Sequence, residues 1–262
     1  MKRINKSEYF VAKKIGRAIN QYNMIEEGDK VLVGVSGGKD SLTLLRVLEM
    51  RKRWLPIDYT IKAVHVVTDY DQKPEVKIEK LEEYFKLLGC DYLFKEIAIA
   101  EKNKLGRPDC FWCSWNRRKA IFETASSEGC NKVAFGHHKD DIVETILMNM
   151  IFNGELSGIN PVQSLFKGEI VLIRPLVFLE EEEIKRYVKE LSIPEMKSTC
   201  PKNAASKRAV VKDIIARLAE EGQDIKSNII RAPHRIKEEY LTGVLETKVE
   251  ERFESENLKK DS

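Results

Sequence analysis

Five runs of apolar residues along the chain are nearly unbroken: KVLVGV (30–35), IKAVHVV (61–67), YLFKEIAI (92–99), NKVAFGHH (131–138) and IVLIRPL (170–176). Short Val/Ile/Leu-rich runs of this kind read as strands buried on both faces, the pattern of a parallel sheet. Between them the apolar positions recur at helical spacing. Residues 5–24 are amphipathic, with Phe10, Ala12, Ile15, Ala18, Ile19 and Tyr22 on one side. Helices are predicted over 42–53, over 76–89 after Pro74 and closed by Gly89, from about Cys113 to Glu128, and over 140–152. Another spans 180–191, where four glutamates start at the positive end of the helix dipole. Two more are predicted over 204–221 and 225–240. Residues 153–168 carry three glycines and a proline and read as a loop.

Strand and helix alternate, which predicts an α/β fold with a doubly wound parallel five-stranded sheet. The division expected is a basic N-terminal helix (1–28), an α/β domain (29–192), a basic helical region (193–242) and a charged tail (243–262). Ligands of such sheets bind at the carboxyl ends of the strands. The 36–41 loop, the 136–141 segment and the exit of the second strand from Val66 to Asp71 all fall there.

Composition narrows the setting. The chain has 262 residues, 42% hydrophobic and 33% charged, enough for a substantial core under a charged surface. No apolar run approaches the roughly 20 residues that cross a bilayer, and MKRINKSEYF lacks the apolar stretch of a secretory signal. Five cysteines, an odd number, argue against a disulfide framework. A cytoplasmic protein without a membrane partner is expected. Net charge is only +3, but its distribution is uneven. Six Lys/Arg face one acid over 1–24, six face two over 100–120, six face one over 197–217, and four face none over 225–237. Either a polyanion-binding face or ordinary solvated helices would give this pattern.

Candidate chemistry begins at SGGKDS (36–41), set between a strand and a helix. Gly37 and Gly38 let backbone N–H groups approach an anion, and the next helix points its positive end there. Ser36 and Ser41 add hydroxyls and Lys39 a charge, while Asp40 suits magnesium. The string is one residue short of a Walker A motif and has Asp40 where that motif has Ser/Thr. GHHKDD (136–141) leaves a strand and opens a helix on the same rim. His137 and His138, adjacent on an extended chain, point to opposite sides, so one at most faces a ligand. Asp140 and Asp141 are ordinary helix caps on their own. Beside SGGKDS, Asp141 becomes the candidate metal-binding or catalytic carboxylate.

Cys110 and Cys113 form C-F-W-C just before the predicted helix, and Cys200 lies in STCPKN. Cys90 and Cys130 each follow a helix-ending glycine and read as small buried apolar residues. A lone C-x-x-C is a redox pair, half a zinc site or part of an iron–sulfur site. A structural zinc site needs four ligands, and no second pair lies near Cys200. Three thiolates suit a [4Fe–4S] cluster with one iron free for a soft ligand such as hydrosulfide.

The order SGGKDS, C-x-x-C, GHHKDD, R-P-L (Arg174–Leu176) and a late cysteine resembles the tRNA 2-thiolation family of PP-loop ATP pyrophosphatases, over roughly residues 1–220. The resemblance implies the adenine nucleotide alpha hydrolase-like fold and places cluster ligands at Cys110, Cys113 and Cys200. It places ATP contacts at Ser36, Gly37, Gly38, Lys39, Asp40, Ser41, Val66, Gly136, His137 and Asp141. Asp40, Arg117 and Asp141 are implied as the catalytic residues, and ATP, Mg2+ and a [4Fe–4S] cluster as cofactors. The implied reaction adenylates the C2 oxygen of a tRNA pyrimidine and replaces it with sulfur from sulfide or a cysteine-desulfurase-derived donor. Cytidine 32 is the expected target, because the zinc-binding cysteine pairs of the uridine-54 enzymes are missing; a uridine target is the alternative. Lysidine synthetase-like or sulfonucleotide reductase-like chemistry, or a zinc-holding nucleotide-binding module, are the competing readings. A homodimer is compatible with the sequence, and the N-terminal helix with the 197–237 stretch is the expected tRNA grip.

Overall fold

The computed structural model describes residues 6–71, 73–99, 110–196, 207–221, 224–237 and 240, with the side chain of Cys110 outside that set. Strands β1 (Lys30–Gly34), β2 (Thr60–Thr68), β3 (Asp91–Ile97), β4 (Lys132–Ala134), β5 (Val162–Leu165) and β6 (Ile170–Ile173) form one sheet. Its order is β3-β2-β1-β4-β6-β5. Every pairing is parallel except β5 with β6. The sheet therefore has six strands where five were expected. The extra one lies in the 153–168 segment, where Gly154, Gly158 and Pro161 obscure a four-residue run. β5 holds register only by pairing back on β6, with Val162 opposite Ile173, and a short edge strand carries little periodicity of its own.

The helices are α1 (Lys6–Gln21), α2 (Lys39–Arg51), α3 (Pro74–Leu88), α4 (Cys110–Ser127), α5 (Lys139–Asn153), α6 (Glu181–Glu190), α7 (Lys207–Ala219) and α8 (Ile225–Arg231). α3 has proline in its first turn and ends on Gly89, whose φ of 69° is the left-handed closure glycine favours. Helix bounds differ from expectation at several points, including α2, which begins at Lys39 rather than 42. α4 begins at Cys110, so both cysteines of C-F-W-C stand on its first turn rather than ahead of it. α8 stops at Arg231, and a 3-10 turn takes over at Ala232–His234; Pro233 has no N–H with which to continue an α-helix.

The central strands β1, β2, β4 and β6 are buried on both faces, which is why they read as unbroken apolar runs. Val31, Val33, Ala63 and Ala134 pack with α1, α2, α3 and α6 in the larger core. Leu32, Val64 and Val133 pack under α4 with Ala120 and Ala125. A third cluster joins Val143 and Leu147 of α5 to Val211 and Ile215 of α7. α1 is held by burial of Ile15, Ala18 and Ile19 and by ion pairs from Lys14 to Glu183 and from Arg46 to Glu8. Among the described residues, no helix is long and apolar enough to cross a membrane.

Candidate active site

The loop after β1 is shaped by its own side chains. Ser41 Oγ donates to the Gly38 carbonyl at 3.0 Å and accepts from the Ser36 amide at 3.2 Å. Gly37 sits at φ 89°, and a Cβ there would meet Met196 Sδ and Lys77 Cε, each at 3.1 Å. The amide of Met196 donates to the Gly37 carbonyl at 2.9 Å. Gly136 passes behind the start of α2, where a side chain would lie 3.0–3.2 Å from the backbone of Asp40 and Ser41. Its role is therefore close approach, with no side chain permitted.

The charged groups fall into two sets. Lys39 is 3.2 Å from Asp40 and 3.3 Å from Glu181. Burial works against its charge, but the two carboxylates outweigh burial and hold its ammonium above the usual range. Asp40 is the reverse: burial pushes its carboxyl up against the pull of Lys39 and His138. Its Oδ1 is buried with no hydrogen-bond partner. An orphaned carboxylate oxygen beside a phosphate-binding loop fits a hydrated divalent cation, for which a site of one or two carboxylates plus phosphate oxygens is sufficient.

His138, which the sequence reading did not single out as a ligand contact, stands at the centre of the acids. Its ring lies 3.7 Å from Asp40, 3.5 Å from Asp140 and 3.5 Å from Asp141. Burial disfavours its charge, yet these carboxylates raise its pKa overall. His137 points the other way. Its Nδ1 accepts from Arg174 Nε at 3.3 Å, and its ring meets Phe135 edge-on. Burial pushes its pKa down to about 4. The two histidines do face opposite sides, and it is His138 that shares space with Asp40.

The two aspartates divide equally clearly. Asp141 caps α5 by accepting from the His138 amide at 2.9 Å, and its Oδ1 lies 3.6 Å from Arg208. Asp140 accepts from the Glu181 amide at 2.8 Å and pairs with Lys226 at 2.7 Å, tying α5 to α6 and α8. Burial opposes its charge, but His138, Lys226 and that amide prevail and hold its carboxyl well below the usual range. Replacing Asp140 with Asn is expected to cost about 1–3 kcal/mol at pH 7. A lowered folded-state pKa stabilises the fold above the unfolded value of about 3.9 and loses that effect as pH falls toward the folded value. The gap between the two urea midpoints should hold from pH 8 to 5 and narrow below about pH 4.

Arg117 reaches from α4 to the exit of β2. It donates to Asp71 at 2.8 and 3.0 Å and to Thr68 Oγ1 at 3.1 Å, and points Nη1 at the Val66 carbonyl. Thr68 gives its amide and hydroxyl to the same carboxylate. The charge of Arg117 is thus balanced within the fold. Lys77, on the first turn of α3 beside Gly37, makes no ion pair among the described residues, and burial lowers its pKa. It is the second group missed in the sequence, because nothing in VKIEK separates it from any surface lysine.

Several basic residues of the expected RNA grip turn inward. Lys212 pairs with Glu181 at 2.6 Å, Lys226 with Asp140 and Glu180, and Arg208 approaches Asp141 and Glu144. For these three, internal neutralisation of the acidic α5–α6 rim explains the charge. Of the three expected cluster cysteines, Cys113 is half-buried and free of any disulfide; Cys200 and the side chain of Cys110 lie outside the described residues. Among the described residues, no three His, Cys, Asp or Glu side chains are placed to hold a metal by themselves. Cys90 and Cys130 are free, buried in apolar surroundings that push both thiols up.

Residues 8–218 match the sequence profile of the PP-loop domain. The chain is 34% identical over 241 residues to the tRNA-cytidine(32) 2-sulfurtransferase of Pelobacter propionicus, a match covering 88% of each. The chain belongs to the PP-loop family of tRNA-cytidine(32) 2-sulfurtransferases. The corresponding protein of Geobacter metallireducens is 35% identical over 233 residues, 87% of this chain and 90% of that one. Among solved structures, the U34-tRNA thiolase of Methanococcus maripaludis, determined with its [4Fe-4S] cluster, shares the fold. It has a TM-score of 0.74 and 24% identity, covering 86% of this chain and 77% of that one. The 36–41 loop and the acids gathered on it lie at the carboxyl ends of the strands, the rim where ligands of such sheets bind.

Proposed function

We propose that this protein adenylates the C2 oxygen of cytidine 32 in tRNA and exchanges that oxygen for sulfur. The observation that carries the reading is the end-to-end similarity to cytidine(32) 2-sulfurtransferases, 88% of both chains. The outer phosphates of ATP lie against the amides of Gly37 and Gly38 and the N-terminus of α2, with Lys39 and Lys77 beside them. Asp40 is placed to hold magnesium through its unpartnered Oδ1. The C2 oxygen attacks the α-phosphorus, pyrophosphate leaves, and hydrosulfide then displaces AMP from C2, losing its proton as the thiocarbonyl forms. Adenylation replaces an oxide, a very poor leaving group, with AMP. Asp141 and His138 line the same rim, and Arg117 positions the end of β2 through Asp71.

A [4Fe–4S] cluster held by Cys110, Cys113 and Cys200 would supply a soft iron site for the sulfur that is delivered. Two features support the fit. Cys110 and Cys113 are three residues apart on one helix, positions that share a face. Met196, four residues before Cys200, is bonded to the PP-loop itself, and four residues span at most about 14 Å. The target base turns outward from the tRNA loop to present C2. The decisive experiment is nucleoside mass spectrometry of tRNA from cells lacking the protein. Disappearance of 2-thiocytidine is expected, and an unchanged thionucleoside profile would rule the reading out.

A further inference from the structure

On the far side of α4 from Arg117, a cleft of about 590 Å³ opens between α4 and the β5–β6 hairpin. That is within the roughly 300–1,000 Å³ of small-ligand sites. We propose that this cleft is a nucleotide subsite for single-stranded RNA, which stacks a base neighbouring the target and takes its phosphate on Arg118. The proposal rests on tRNA being the substrate.

Three observations point to it. The walls are aromatic: Phe166 is 55% exposed with Phe122 beside it, and Trp115, itself stacked on Trp112, closes the other side. Such walls suit bases of any identity, since every base offers a π-face. The hairpin turn also presents its aromatic ring outward on an unusual backbone. Phe166 and Lys167 have φ of 51° and 60°, followed by Gly168 at 99°; a bulky residue in the left-handed region is uncommon.

Arg118, which lines the cleft, lies close to buried Arg174 behind it. Arg118 makes no ion pair among the described residues. Arg174, only 7% exposed, donates to His137 Nδ1, the Asn160 carbonyl and Gln163 Oε1, all neutral acceptors. Burial and then the nearby charge of Arg118 push the Arg174 guanidinium down to about 10. Glu123 and Glu169 also line the cleft, but neither pairs with Arg118, whose guanidinium is left to take a phosphate. At the outer end, Lys119 stands 5.6 Å over the Trp115 ring and is paired with Glu123.

The cleft is also tied to the active site. Ring contacts run from Phe166 to Phe122 at 5.6 Å, Phe122 to Phe135 at 6.1 Å, and Phe135 to His137 at 5.9 Å. These rings pass through buried Phe135 and so fix the cleft rigidly relative to the segment that carries His138.

The test measures binding of a fluorescein-labelled tRNA transcript by anisotropy, together with thiolation kinetics. Phe166→Ala and Arg118→Ala are each expected to weaken binding about tenfold and to raise KM for tRNA by the same factor. Phe166→Tyr keeps the stacking ring and is expected to bind as the wild type does. A transcript made abasic beside cytidine 32 should bind the wild type as weakly as the intact transcript binds Phe166→Ala. Wild-type affinity in both alanine variants overturns the subsite. If the wild type thiolates no cytidine but the variants still lose RNA affinity, the subsite stands and the cytidine reading falls. If the wild type thiolates and the variants bind normally, the subsite alone falls.

Discussion

An Asp40→Asn variant is expected to fold normally and to lose ATP-driven pyrophosphate release by about 10²–10³-fold, the scale of removing one preorganised electrostatic group from an active site. The side chain lies at the start of α2, with one oxygen 3.2 Å from Lys39 and the other buried without a hydrogen bond, 3.7 Å from His138. An amide has nearly the same shape but little affinity for magnesium. The stability effect has the opposite sign. Burial raises the folded-state pKa of Asp40, so its charge opposes folding once pH exceeds the unfolded value, and fully so above the folded value. In magnesium-free buffer at pH 7 the neutral Asn variant should melt no lower than the wild type. A lower Tm accompanying the lost activity would make Asp40 a structural residue and remove it from the magnesium site.

Replacing Cys113 with Ser should separate the two halves of the reaction completely. Anaerobically purified wild type is expected to be brown, with broad absorption near 400 nm, and the variant colourless. Thiolation should fall to background, while ATP affinity at the PP-loop stays within about twofold, since sites without shared partners vary independently. Cys130→Ala is the matched control. Cys130 is packed with Val133 and Ala125 beneath α4, so its loss should cost about 1 kcal/mol of stability and no colour. A colourless wild type containing stoichiometric zinc would refute the cluster assignment.

The central strands were legible because a parallel sheet covered on both faces admits only apolar residues, as Val31, Leu32 and Val33 show by packing alternately into two cores. β5 was not, because its four residues derive their conformation from pairing with β6 rather than from their own pattern. The start of α4 was placed three residues late because aromatic and cysteine residues are weak helix formers, and packing decides there. Within the site, strand alternation separated His137 from His138 but carries no information about which side holds the nucleotide; only the fold brings His138 to 3.7 Å from Asp40. The basic stretches were the least readable. A basic residue that neutralises Glu181 and one without an acid partner look the same along the chain, and distance alone distinguishes Lys212 from Arg118.

The bond from the Met196 amide to the Gly37 carbonyl has a consequence for how this protein can be divided. Met196 follows α6 and returns to brace the loop after β1, while Arg208 re-enters at Asp141. A gene cut between those points would keep the brace in the first fragment but strip Asp141 and Glu144 of Arg208, Glu181 of Lys212 and Asp140 of Lys226. The first fragment would then carry a rim of acids on α5 and α6 without the cations that face them in the whole chain.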